Sequence, residues 1–232
     1  MSSMLPPKGF FAGTDSAPLG RREQKMKPGK YILKVDRVRY KQTLKTFKYF
    51  IEIAVTVIHV VENVNGQSLV PGSEATITVW KSSKFFDKEF KAFVYCAFDT
   101  DRLVDVDQFV ADARKELASV KGTPAQVQAL ADQRIAEAAE EVYMAIVDED
   151  RNPLAGTLVL AAAIESKTDP KEGQERFVNT TWEKKIYYSQ LENLLGAARV
   201  QEIVNDGRTG LISLAEFEVA MAAEMAEEEG VK

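Results

Sequence analysis

Cations and aromatic side chains interleave at three places in this sequence. Arg37, Arg39, Tyr40, Lys41, Lys45, Phe47, Lys48 and Tyr49 form one group; Trp80, Lys81, Lys84, Phe85 and Phe86 form a second; Trp182, Lys184 and Lys185 close the third. Flat rings offer unstacked bases a face, worth about 1–3 kcal/mol per base, while ammonium and guanidinium groups track phosphates. Each neutralised phosphate releases counterions, so the affinity of such a surface falls steeply with salt. The pattern predicts a surface for single-stranded nucleic acid. The residues assigned to it are Arg37, Arg39, Tyr40, Lys41, Lys45, Phe47, Lys48, Tyr49, Trp80, Lys81, Lys84, Phe86, Trp182 and Lys184. Phe50, Phe90 and Phe93 are assigned to the core.

The charge distribution agrees with a polyanion partner. The chain has 232 residues and a formal net charge of −5, from 30 Lys+Arg and 35 Asp+Glu. Residues 1–99 hold 16 Lys+Arg and 9 Asp+Glu, a surplus of +7; the remainder, with 14 and 26, carries −12. A basic front half and an acidic rear half are the asymmetry expected of a chain with a polyanion partner or an acidic tail. Glu216 to Lys232 is Glu-rich. Its expected role is to compete for the basic face or to recruit basic patches on replication or recombination proteins.

Composition excludes much chemistry. One Cys makes no intramolecular disulfide, and one His with one Cys makes no zinc site. A single His removes most Ser-His-Asp and Cys-His arrangements unless His59 is itself the base, and His59 stands in an apolar run, where a strand histidine is the favoured reading. No metal or cofactor site is expected, and the reading is a binding protein, not an enzyme. No run reaches the ~18 apolar residues of a membrane span. Met1 to Phe11 contains Pro6 and Pro7 and no apolar stretch of the secretory type, so a soluble, cytoplasmic location is expected.

Residues 1–28, punctuated by Gly and Pro, read as an irregular basic arm. From Gly29 the pattern is β: Tyr31, Leu33 and Val35 alternate with Ile32, Lys34 and Asp36, and the pattern runs on to Arg39. Arg37 and Arg39 share the parity of Val35, so this strand must switch faces or leave the sheet near Val35, with Tyr40 opposite Arg39. Tyr49 to Glu62 is a β-branched run long enough to bulge, and Ala75 to Trp80 is a third strand. Between Lys84 and Phe98 the apolar spacing becomes helical. Residues 105–142 form a polar helical pair split at Gly122, with Thr123 as N-cap and Pro124 in the first turn. Strand signals return at Val142 to Val147, Gly156 to Ser166 and Arg176 to Ile186. Residues from Gln190 onward are helical.

Three strands, a helical insert of about 84–141, further strands and C-terminal helices predict a mainly β fold with α insertions. The expected form is a five-stranded OB-fold-like Greek-key barrel over residues 29–187, with the insert between strands three and four, and helices with an acidic tail over 188–232. The Pro28-Gly29-Lys30-Tyr31 start, the YFIEIAV strand, the Pro71-Gly72 turn before a strand ending at Trp80, and the hairpin from Leu154 to Lys185 resemble bacteriophage single-stranded DNA-binding proteins of OB fold. The resemblance covers roughly residues 28–186. It implies sequence-independent binding of single-stranded DNA in phage replication or recombination. The other class considered is a structural or assembly protein using the barrel as an interaction module.

Asn205 to Glu216 has the glycine, β-type residue and final carboxylate of a calcium loop at Gly210, Ile212 and Glu216. Asn205, Gly207 and Thr209 occupy the other ligand positions, however, and supply no charge. The expectation is a helix–loop–helix in which Ser213 and Glu216 form a capping box. Asp105 or Asp107 is expected to cap the helix that follows it.

Overall fold

The computed structural model describes residues 24–43, 46–119, 121–148, 151–166 and 177–230. The body of the expected basic arm, residues 1–23, lies outside them, as does Lys45. The six strands are β1 (Gln24–Lys25), β2 (Gly29–Gln42), β3 (Tyr49–Asn63), β4 (Glu74–Trp80), β5 (Leu158–Glu165) and β6 (Val178–Ile186). The helices are α1 (Phe86–Phe98), α2 (Val106–Ala118), α3 (Pro124–Val147), α4 (Leu191–Leu195), α5 (Ala197–Asp206) and α6 (Leu214–Gly230). Among the described residues no helix is long and apolar enough to cross a membrane.

Alternation builds the sheet. Tyr31, Leu33 and Val35 of β2, Ile51, Ile53, Val55 and Val57 of β3, and Ala75, Ile77 and Val79 of β4 enter one buried cluster. A β-bulge then changes the parity of β2. Val35 pairs with Val55, Asp36 is passed over, and Arg37 pairs with Ala54. The strand therefore switches faces and stays in the sheet: Val38 returns to the core while Arg37, Arg39 and Lys41 point the other way. Gly29 begins β2 at φ +152°, with space for no side chain; a Cβ there would lie 2.6 Å from Ser68 Oγ and 2.7 Å from the Tyr31 hydroxyl.

The strand order is β1-β4-β3-β2-β5-β6. β2, β3 and β4 are a meander, and β5 returns after three helices to lie beside β2, which is a Greek-key arrangement. β1 pairs with β4 in parallel, and the remaining pairs are antiparallel. The closed five-stranded barrel expected from the sequence is replaced by an open, six-stranded mixed sheet. β1 takes the free edge of β4 at Ala75 and Thr76, and no pairing joins β4 to β6 among the described residues. α1, about 20 Å long, contacts both β4 and β6. Its buried Phe90, Phe93, Val94 and Ala97 enter the main core, with Phe93 against Trp182 of β6 at 4.7 Å between ring centroids.

A second difference concerns Val142 to Val147, expected as a strand and found as the last turns of α3. Val142, Tyr143, Ile146 and Val147 pack on the main core, and their i, i+1, i+4, i+5 spacing is a helical face. The β-branched composition misleads because a buried helix end tolerates it. The insert thus ends at Val147. Local helix signals hold: Thr123 and Gln126 form a capping box at α3, and Asp105 Oδ1 accepts from the Gln108 N–H at α2, 3.0 Å away.

The opposite face of the sheet is divided. At one end Ile32, Ile58, Leu158 and Ile186 are buried beneath Leu191, Val200, Ile203 and Leu211 of the C-terminal helices and their connecting loop. Lys34 ties this loop down, donating to the Thr209 carbonyl at 2.8 Å. Residues 205–216 form the expected helix–loop–helix, closed by Ser213 N–H to Glu216 Oε2 at 2.8 Å and Glu216 N–H to Ser213 Oγ at 3.2 Å. Tyr188 stacks on Phe217 of α6 at 4.4 Å. Among the described residues the other end of this outer face carries no helix cluster, and it holds the candidate site.

Candidate nucleic-acid interface

Because Ile51, Ile53 and Val55 point into the core, Phe50, Glu52, Ala54 and Thr56 point out. Register then assembles the outer face in rows. Lys41 lies beside Phe50, and Phe50 beside Trp80; Arg39 beside Glu52 beside Thr78; Arg37 beside Ala54 beside Thr76. Phe50 and Trp80 form a half-buried aromatic platform, centroids 4.9 Å apart. Arg37, Arg39 and Lys41 line one side of it, on a single strand at every second residue.

Electrostatics in this patch centre on Glu52. It is 6% exposed, although it belongs to the outer face, because Arg39 and Lys41 fold over it. Arg39 Nε donates to its carboxylate at 2.6 Å and Lys41 Nζ at 2.7 Å. Burial alone would raise the Glu52 carboxyl, but the hydrogen bonds from Lys41 and Arg39 outweigh it and hold the group below its ordinary range. At Asp36, by contrast, burial wins and the carboxyl is raised despite the 2.7 Å hydrogen bond from Thr56 and the charge of Lys34. The strand therefore presents cations that are oriented and partly neutralised.

The remaining sequence-assigned residues divide between two further places. Tyr40 pairs with Ile51 and Tyr49 with Gln42, on the face opposite Lys41 and Phe50. The two tyrosine rings stack 5.3 Å apart and are 55% and 43% exposed. Phe47 and Lys48, in the β2–β3 link, are exposed, as are Lys81 and Lys84. Lys81 lies 4.2 Å over the Phe86 ring, and Lys84 4.9 Å over Phe85. Phe86 itself is half-buried, 6.0 Å from Phe90. Trp182 is half-buried on β6, its indole packed on Phe93 at the rim of the main core, away from the Phe50–Trp80 pair. Lys184 is exposed on β6, separated from Trp80 by three strands.

Four residues of this outer face stand outside the sequence-assigned set: Phe50, Glu52, Thr76 and Thr78. The period-2 patterns of Ile51, Ile53 and Val55 on β3 and of Ala75, Ile77 and Val79 on β4 carry their signal. Phe50, expected in the core, is half-buried on this face.

Other chemistry is sparse among the described residues. No group of three His, Cys, Asp or Glu stands ready for a metal ion. Burial pushes the Cys96 thiol up to about 11, with Asp99 and Glu183 adding to the effect, so it is protonated at neutral pH. An open cleft of about 540 Å³ between α1 and β6 is lined by Trp182 and Lys184, two of the sequence-assigned residues, together with Asp99, Asp101 and Glu183, which leave it acidic on balance. No family model matches the chain, and no curated protein is significantly similar to it in sequence.

Proposed function

We propose that this chain is a non-enzymatic single-stranded DNA-binding protein with little sequence preference. The observation that carries the reading is the Lys41–Phe50–Trp80 row with Arg39 and Arg37 in the next two rows. It combines a stacking platform with phosphate-tracking cations on one rigid sheet face, the two requirements of single-strand binding. The Greek-key order β5-β2-β3-β4, with α1 packed against both β4 and β6, supports reading the fold as a partly open OB barrel. The face of strands two and three in that fold, here β3 and β4, is the oligonucleotide surface. Action in phage replication or recombination, with protein partners drawn to the acidic C-terminal segment, follows from the resemblance.

Titration with oligo(dT), followed by tryptophan fluorescence at 50 and 200 mM salt, tests the function. The reading requires quenching at low salt and a steep loss of affinity at high salt. Absence of binding at low salt, or indifference to salt, overturns it.

A further inference from the structure

The two aromatic pairs lie on opposite faces of the sheet and share β3: Phe50–Trp80 spans β3 and β4, and Tyr40–Tyr49 spans β2 and β3. Lys41 and Phe50 face outward; the residues next to them in the chain, Tyr40 and Tyr49, face the other way. Both pairs lie at the sheet end that closes in the β2–β3 link. This end carries exposed Phe47 and Lys48, and exposed Lys81 follows Trp80 directly. The Lys81 N–H donates to the Tyr49 carbonyl at 3.0 Å, fixing the start of the β4–α1 connection beside the tyrosines. Because the tyrosines stack on each other within 13° of parallel, they act as one platform, with only the outer sides of the pair left for a base.

Resting on the single-strand reading, we propose that the site is bipartite: one DNA strand binds the outer face on Phe50 and Trp80, then turns round the sheet end onto the Tyr40–Tyr49 stack. Lys48 and Lys81 take the phosphates at the turn. A single flat site would be expected to place all its rings on one face. Here the bulge at Asp36 sends the cations to one side and leaves Tyr40 on the other. Short oligonucleotides then occupy the outer face alone, and full affinity needs a strand long enough to reach both faces.

The test is fluorescence anisotropy with labelled oligo(dT) at the short and long ends of the range for one OB fold, about 4 and about 16 nucleotides. The proteins are the wild type, Tyr40→Ala/Tyr49→Ala, Trp80→Ala and Lys48→Gln/Lys81→Gln. The double tyrosine variant should bind the short oligonucleotide as the wild type does and the long one roughly fivefold or more weakly, the loss of at least one stacked base. Trp80→Ala should weaken both. The lysine variant, altered only at exposed side chains, should reduce the salt slope for the long oligonucleotide by ~0.7 per lost contact and leave the short one unchanged. Equal weakening of short and long binding by the tyrosine variant, or no effect on either, overturns the two-face path while leaving single-strand binding intact. A wild type that binds neither oligonucleotide at low salt overturns the functional reading and this inference together.

Discussion

Glu52 accepts a 2.6 Å hydrogen bond from Arg39 Nε across the β2–β3 pair, from a position that is 6% exposed. The contact orients a cation on the outer face and at the same time cancels part of its charge. Lys41 shares the same carboxylate.

Glu52→Gln should lower stability at neutral pH by about 1.5–3 kcal/mol, the worth of hydrogen bonds to a charged group. The Glu52 carboxyl is held below its ordinary value of 4.5 in the fold. Its stabilisation is therefore present above that value and lost as pH falls through the lower, folded one. Urea melts of both proteins should differ most at pH 7 and converge toward pH 3. In DNA titrations the same variant should show a larger salt slope, because Arg39 and Lys41 are no longer neutralised within the protein.

Phe50→Ala and Trp80→Ala should each weaken oligo(dT) binding by about 1–3 kcal/mol, the value of one stacked base, with little loss of fold. Trp182→Ala should do the reverse, lowering the melting temperature through the lost Phe93 contact and leaving DNA affinity near the wild-type value. Anisotropy titrations beside thermal melts separate the two behaviours.

Phe93 is fully buried at the point where α1 meets β6. Phe93→Ala should cost about 3–5 kcal/mol and shift Trp182 emission to the red as the indole gains water. A variant of wild-type stability would mean that the packing of α1 on β6 contributes little to the core.

His59 lies half-buried on β3 with Nδ1 making no hydrogen bond to the described residues. Burial, and secondarily the charge of Arg199, holds it below its ordinary value of 6.5. The unfolded chain takes up this proton before the native one does. Stability should therefore decline as pH drops below 6.5 toward the folded value. His59→Gln should flatten the decline between pH 7 and 5 in thermal melts.

Much of the strand content was legible from local pattern. The parity of Tyr31, Leu33 and Val35 against Arg37 and Arg39 required the strand either to switch faces or to leave the sheet, and the bulge at Asp36 decides for the face switch. Thr123, Asp105 and Ser213 cap their helices as their spacing predicts, because capping depends on a few consecutive residues. Val142 to Val147 was not legible in this way, since the same apolar spacing serves a short strand or a helix end until a core is present to pack against.

The interface was legible only as a set of residue types. Sequence by itself determined that cations and rings alternate along β2 and β3, that one His and one Cys leave little catalytic chemistry, and that charge divides between front and rear. Tertiary structure decided which of these groups meet. Pairing across β2, β3 and β4 placed Trp80 beside Phe50 and a carboxylate between two cations; α1 drew Trp182 to the rim of the core. The edge pairing of β1 with β4 left the sheet open. The physical reason is range: alternation and capping act over a few residues, whereas register, burial and closure depend on contacts between segments far apart in the chain.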